Sequence, residues 1–172
     1  EPEWAMRLLG TEGMLSLESM YGSHTSPHEH MREEFGSNFM MFCYYIYNNV
    51  GIDLRTFAGG LLAGVGALAV VLFNGAFLGA ATGYIHHACN PQTFYAFVAG
   101  HSAPELMGVV IAGMAGTRLG LALIRPGQLA RRDALVLGGR RALLLLLGAC
   151  VLTSFEAVIE GLWSANTMQL WI

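Results

Sequence analysis

Hydrophobic positions along the chain form two long tracts that charged residues almost entirely avoid. Between positions 56 and 117 the one side chain that is charged at neutral pH is Glu105, and from position 142 onwards only Glu156 and Glu160 remain. A helix needs about 20 apolar residues to cross a bilayer. The pattern therefore predicts an all-α fold, a polytopic membrane helix bundle.

The apolar segments differ in how well they fit one straight crossing. Residues 54–85 and 94–124 are each about 30 residues long, more than a crossing needs, and are interrupted at Asn74 and around His101. Residues 142–163 fit a single span. Non-helical backbone is tolerated at membrane depth where protein shelters it. We therefore predict broken or re-entrant helices, with a half-helix element between Asn74 and His101.

The N-terminal part is more polar than the rest. Residues 1–35 place Trp, Met and Leu side chains on one face of a predicted amphipathic helix. Residues 35–47 are aromatic but too short to cross, which favours a helix at the membrane interface. The chain is thus divided into an N-terminal amphipathic extracytoplasmic segment at 1–50 and a membrane helix bundle at 51–172.

Composition and charge agree with a membrane setting and suggest an orientation. Only 12% of the residues are charged, about half the usual share of a soluble domain, about 25%. Five of the nine positive charges lie in the short loop 125–141, at Arg125, Arg131, Arg132, Arg140 and Arg141. The positive-inside rule places this loop in the cytoplasm. The net charge is -3 and lysine is absent, which argues against a nucleic-acid partner.

Small residues recur at every fourth position in two of the predicted helices. They form one ridge at Gly75, Gly79 and Gly83, and a second ridge at Gly108, Ala112, Gly116 and Gly120. Gly60 and Gly64 repeat the spacing at the start of the first tract. In lipid, such ridges let helix backbones approach closely. They predict packing within one subunit, with a homo-oligomer interface as the alternative.

Polar residues inside the apolar tracts define a candidate site. The predicted intramembrane polar site consists of Asn74, His101, Glu105, Glu156 and Glu160. Ionisable residues are costly in a membrane and therefore indicate function. His101 and Glu105 are four residues apart and would share a helix face, where they could bind a metal cation or transfer a proton. Interhelical hydrogen bonding without a ligand is the structural alternative.

Ser102 and Glu105 also fit a capping box, with Pro104 in the first helical turn. This pattern predicts that a helix begins at Ser102. On this interpretation the Glu105 carboxylate satisfies free amide groups at the helix N-terminus.

Other motifs give no support for catalysis. Two histidine groups, one at His86, His87 and Cys89 and the other at His24, His28 and His30, are more typical of solvated loops than of metal sites. Nucleophile-elbow, zinc-protease and nucleotide-binding motifs are absent from the sequence. We therefore expect no enzymatic activity and no cofactor, with a bound cation as the open alternative.

Four motifs resemble those of the stage II sporulation protein M family, over about residues 45–165. They are NN at 48–49, FNGAFLG at 73–79, GHSAPEL at 100–106 and IAGMAGTRLG at 111–120. Where the family usually has a proline before the histidine, this chain has Gly100, and its proline follows at Pro104. The resemblance therefore implies that the break in the helix is kept and that its position shifts.

The resemblance implies a multi-pass protein of the bacterial cytoplasmic membrane. It also implies a non-enzymatic scaffold or anchor for proteins that remodel the cell envelope, as in spore formers. The expected partners are therefore the lipid bilayer and proteins of the cell envelope. Because family members usually carry a further N-terminal membrane helix, we expect the chain to be a C-terminal membrane portion. The alternative function is a small ion or solute channel or transporter that uses the intramembrane His/Glu cluster.

Overall fold

A computed structural model describes residues 2–22 and 34–160 of the chain. Six helices are described from end to end, and the described residues contain no strand. The helices are α1 (Pro2–Tyr21), α2 (Asn38–Gly59), α3 (Val65–Ala88), α4 (Pro91–Ala99), α5 (Ser102–Ile124) and α6 (Arg131–Val158). The predicted all-α fold is confirmed, and α5 begins at Ser102 as the sequence predicted.

Three of these helices are long and apolar enough to cross a membrane, namely α3, α5 and α6. Their large apolar side chains are often exposed; Leu72, Leu144 and Val151 each leave about 70% of their surface uncovered (71%, 71% and 70%). Apolar surface on this scale is unfavourable in water but not in hydrocarbon. The helices are therefore suited to a bilayer.

The chain divides into two compact units. The first takes in residues 1–43, 73–101 and 158–172, and the second takes in residues 44–72 and 102–157, each as far as the described ranges reach. The divisions fall within α2, α3 and α6 and between α4 and α5. Each unit has a hydrophobic cluster of its own.

In the first unit, α1 packs against α4. Helix α1 is kinked at Gly10, whose φ of 68° and ψ of 170° are readily adopted only by glycine. Tyr21, Ile85 and Phe94 form the buried cluster, and the rings of Tyr21 and Phe94 meet edge to face at 5.3 Å. The backbone amide of Asn90 donates to the carbonyl of Tyr21, which ties the end of α1 to the α3–α4 turn.

Helix α4 is the short element expected between Asn74 and His101. It starts because the side chain of Asn90 accepts a hydrogen bond from the amide of Gln92, while Pro91 occupies the first helical position. Gly100 follows its last residue. The nine residues of α4 are too few to cross a bilayer, which takes about 20.

In the second unit, α5 and α6 share a core made largely of small residues. Its buried members are Ala112, Ala115, Leu119, Ala142, Leu146 and Ala149. Alanines at the centre let the two helices approach closely, which is how membrane helices gain van der Waals contact.

The first apolar tract breaks at a different place from the one predicted. The interfacial segment predicted at 35–47 is part of a 22-residue helix, because α2 continues through Asn48 and Asn49 to Gly59. The chain turns at residues 60–64, where Ala63 (φ 58°) and Gly64 (φ 82°) adopt left-handed conformations. Asn74 lies inside α3. Consecutive small residues and left-handed backbone therefore set the break, and a single asparagine does not.

Candidate functional site

The second unit contains a buried polar cluster, which we define as Asn49, Asp53, Glu105, Thr153 and Glu156. The side chains of Asp53, Thr153 and Glu156 are fully covered (0% exposed each). The Thr153 hydroxyl donates to Oδ2 of Asp53 at 2.7 Å, and Nδ2 of Asn49 donates to Oε2 of Glu156 at 3.2 Å. Two hydrogen bonds thus join α2 to α6 inside an apolar unit.

Helix periodicity explains how this polar cluster is assembled. Asn49, Asp53 and Thr56 are spaced by four and three residues, so they lie on one face of α2. Thr153 and Glu156 are three apart on α6. Gly108 of α5 leaves room for them, because a Cβ at this position would overlap the Thr153 hydroxyl and come within 3.6 Å of Oδ2 of Asp53. A glycine on one helix therefore accommodates a hydrogen bond between two others.

Glu105 adds a third carboxyl group to the polar cluster. One of its oxygens lies within 4.8 Å of an oxygen of Glu156. Oδ1 of Asp53 is buried and has no hydrogen-bond partner among the residues that the structure describes. Carboxylate oxygens at this separation are suited to hold a hard cation such as Mg²⁺, Mn²⁺ or Ca²⁺, or to share a proton.

His101 and Glu160 meet in the first unit. Nε2 of His101 lies 3.7 Å from Oε1 of Glu160, and its ring packs edge-on against Phe97 at 5.0 Å. Burial lowers the pKa of His101 from 6.5 to about 4, so its imidazole is neutral at pH 7. The contact is consequently no ion pair, and 3.7 Å is too long for a hydrogen bond. Burial, and then the charge of Glu160, raise the pKa of Tyr21 to about 12.

The five residues of the predicted polar site are distributed over both units. Glu105 and Glu156 come together in the second unit, whereas His101 and Glu160 meet in the first. Asn74 lies half-buried in the part of α3 that belongs to the first unit. The members of the predicted metal pair, His101 and Glu105, therefore lie in different units, and that pair stays a prediction.

Sequence reasoning did not find three members of the polar cluster. Asn49, Asp53 and Thr153 were outside the predicted site, although Asn49 belongs to the NN motif. The usable signal was the polar stripe along α2, in which positions 49, 53 and 56 share a face of an otherwise apolar helix. This polar stripe is a weaker sequence signal than an isolated charge in a long apolar tract, because other polar residues border α2.

The two glycine ridges have different surroundings. A Cβ at Gly60 would overlap the backbone of Gly116, and a Cβ at Gly120 would overlap that of Gly64. The second ridge therefore lies directly against the α2–α3 turn. In contrast, Gly75, Gly79 and Gly83 are exposed, and an added Cβ would meet no described atom within 4 Å.

His86, His87 and Cys89 belong to the first unit and are not members of the polar cluster. His86 and His87 are exposed at the end of α3, with ring centroids 5.6 Å apart. Cys89 is half-buried, and burial together with the charge of Glu18 raises the pKa of its thiol. The other histidine group, at 24–30, lies outside the described residues.

Comparison with protein families gives a match over most of the chain. Neither the curated proteins nor the solved structures that were compared with the chain include a significant match. The sequence model described as "Stage II sporulation protein M" matches residues 8–165, which include all of α2–α6 and the larger part of α1. The matched region carries three helices able to cross a membrane and a buried polar cluster. The chain is a membrane protein that belongs to the stage II sporulation protein M family.

Proposed function

We propose that this protein is a non-enzymatic membrane scaffold that binds a membrane helix of a cell-envelope protein. The observation that carries the proposal is the open glycine ridge of α3. Gly75, Gly79 and Gly83 are exposed on one face of a helix suited to a bilayer, with no described atom placed to meet an added Cβ within 4 Å.

The geometry of the ridge favours a helix over lipid as its neighbour. Successive residues of a helix are 100° apart, so Ala76 and Leu78 flank the groove that the three glycines create. Leu78 leaves 38% of its surface exposed. Lipid tails are as apolar as leucine, so helices associate in a membrane through close packing, which small residues permit. A second helix can approach its backbone here more closely than at any bulky face.

The family context supplies the kind of partner and the orientation that we propose. The stage II sporulation protein M resemblance points to cell-envelope remodelling proteins at the bacterial cytoplasmic membrane. The arginine-rich segment 125–141, predicted as a loop, continues from residue 131 as the first turns of α6. It would lie in the cytoplasm, with the acidic N-terminal segment on the outer side. Association with a second copy of the chain through the same ridge is the alternative, and the experiment below distinguishes the two.

Site-specific photo-crosslinking of the full chain in its native membrane tests the proposal. A diazirine analogue of leucine replaces Leu78, which precedes Gly79. In the matched control it replaces Leu147, which precedes the isolated and equally open Gly148 on α6. We expect Leu78 to form an adduct with a discrete cell-envelope protein, and Leu147 to form adducts with lipid.

Substitution of the ridge provides the second arm of this experiment. Gly79→Leu should abolish the Leu78 adduct, because the side chain fills the groove, whereas Gly148→Leu should leave it unchanged. Adducts of Leu78 with lipid alone, or with a second copy of this chain alone, would contradict the proposed partner.

A second candidate function is the passage of a cation or a proton, favoured by the three carboxyl groups of the polar cluster. Glu105 and Glu156 present oxygens within 4.8 Å of each other. Oδ1 of Asp53 is buried in the same unit, with no hydrogen-bond partner in the described part of the chain. Reconstituted vesicles should then show a cation or proton flux that the double variant Glu105→Gln/Glu156→Gln abolishes. Flux that is equal to that of empty vesicles would reject this function.

A further inference from the structure

A cavity opens where the C-terminal end of α5 meets the N-terminal part of α6. Its volume is about 350 Å³, within the range of about 300–1,000 Å³ typical of small-molecule sites. Its charged walls are Arg118, Arg125 and Arg141, and its apolar walls include Leu121, Leu129 and Leu137. All of these residues belong to the second unit. The cavity is separate from the polar cluster of Asn49, Asp53, Glu105, Thr153 and Glu156.

Close packing of two helices brings these walls together. Arg118 and Arg125 are seven residues apart, so they project from the same side of α5 and its C-terminal extension. Arg141 comes from the first half of α6. A Cβ at Gly138 would lie only 2.6 Å from the Cβ of Ala122, so the two helices touch beside the cavity. Small residues therefore position the arginines of different helices around one opening.

The cavity carries uncompensated positive charge. In the part of the chain that the structure describes, no salt bridge joins Arg118, Arg125 or Arg141 to a carboxylate. Guanidinium groups remain charged at any working pH, and their fork of donors matches the oxygens of a phosphate. Three such groups without an anionic partner predict a phosphate-bearing ligand.

The apolar walls identify the source of that phosphate. Leu121, Leu129 and Leu137 leave 49%, 47% and 47% of their surfaces exposed, next to the charged groups. A free anion would gain nothing from these side chains, whereas an acyl chain would cover them. The cavity also lies at one end of two helices suited to a bilayer, where basic pockets meet lipid headgroups. We propose that this cavity binds an anionic phospholipid, with its phosphate on the three arginines and an acyl chain along the leucines.

Lipid titration of the purified full chain in a neutral detergent tests this proposal. Phosphatidylglycerol is added to one sample and phosphatidylcholine to another, and thermal unfolding is followed to obtain an apparent Kd. We compare the triple variant Arg118→Gln/Arg125→Gln/Arg141→Gln with the matched control Arg131→Gln/Arg132→Gln/Arg140→Gln. Both variants lose three positive charges, but the control residues do not line the cavity.

We expect phosphatidylglycerol to stabilise the parent chain and the control variant, and to bind the cavity variant at least about tenfold more weakly. Equal weakening in both variants would overturn the proposal, because binding would then follow net charge. If the triple variant does not fold, the single variant Arg141→Gln replaces it, against Arg140→Gln.

Inorganic phosphate, at matched ionic strength, separates the two sources of the anion. The lipid proposal predicts that millimolar phosphate neither stabilises the chain nor displaces phosphatidylglycerol. Stabilisation by phosphate equal to that by the lipid would overturn it in favour of a soluble-anion site. None of these outcomes depends on the helix-binding ridge of α3, so the scaffold proposal is tested independently.

Discussion

Thr153 donates a hydrogen bond to Asp53 over 2.7 Å, between two fully buried side chains that lie one hundred residues apart in the sequence. The bond links α6 to α2, and Gly108 of α5 leaves the space in which it forms. A buried carboxyl group without hydrogen bonds is costly. This pair is therefore central to the stability of the second unit, whatever ligand the polar cluster accepts.

Replacing Thr153 by valine should destabilise the protein by about 1–3 kcal/mol, because Asp53 loses its donor in a buried setting. Unfolding in mixed detergent micelles measures the change. The matched control is Thr117→Val on α5, where the hydroxyl donates to the carbonyl of Gly113 in its own helix. The control should cost less than about 1 kcal/mol. Equal losses for the two variants would show that Asp53 does not need this hydrogen bond.

Alanine at Gly60 should destabilise the second unit by about 1–3 kcal/mol or more, because its Cβ would overlap the backbone of Gly116. Backbone cannot move aside as a flexible side chain can. Gly75→Ala is the control, since an added Cβ there meets no described atom within 4 Å. It should be neutral, or stabilising by up to about 1 kcal/mol through helix propensity. Unfolding in mixed detergent micelles measures both changes. A Gly60→Ala variant as stable as the parent chain would contradict the close contact between Gly60 and Gly116.

Protonation of His101 should make stability depend on pH in the acid range. Burial lowers its pKa from 6.5 to about 4, so the unfolded chain binds a proton between these values while the folded chain does not. Stability contributed by the neutral imidazole is therefore present above pH 6.5 and is lost as the pH falls towards 4. His101→Gln should flatten this part of the curve relative to the parent chain.

The exposed His86 supplies the control for that measurement, because His86→Gln should leave the acid limb of the curve unchanged. Carboxyl groups away from His101 are the same in the parent chain and both variants, so they do not contribute to the difference between the curves. A curve for His101→Gln that coincides with the parent curve would show that the imidazole is accessible to protons in the folded state.

Ile85→Ala should destabilise the first unit by about 2–5 kcal/mol, because Ile85 is fully buried between Tyr21 and Phe94. Leu78→Ala on the same helix, 38% exposed, should cost much less. Global unfolding measures the loss of stability, and the rate at which a protease cleaves α1 measures the local effect on the helix that carries Tyr21. Equal resistance to protease in both variants would contradict the contribution of Ile85 to the packing of α1.

Fold class was predictable because the signal is strong and local. Apolar tracts with very few charges identified α3, α5 and α6, and a serine followed by proline and glutamate located the start of α5 at Ser102. The position of the first break was not predictable in the same way. Asn74 stands out in the sequence as the polar residue in an apolar tract, yet it lies inside α3. Helix α2 ends instead at the first of four glycines between positions 59 and 66.

The candidate site was only partly predictable, for a different reason. Glu105 and Glu156 were found because a charge in an apolar tract is conspicuous. Their partner Asp53 lies where the sequence is mixed, and its role appears only when α2, α5 and α6 pack together. Sequence periodicity gives the face on which a residue lies, but it does not say which helix that face will meet.

The contact between Gly120 and Gly64 also fixes how far α5 can slide along its neighbours. A shift of one helical turn, about 5.4 Å, would bring either Ile124 into the place of Gly120 or Ala112 into the place of Gly116. The first place has no room for any side chain, and a Cβ in the second would lie 2.9 Å from the carbonyl oxygen of Thr56. Gly116 and Gly120 thus fix the axial position of α5 relative to the α2–α3 turn. Because Glu105 lies on the same helix, they also fix the position of its carboxylate along the helix axis.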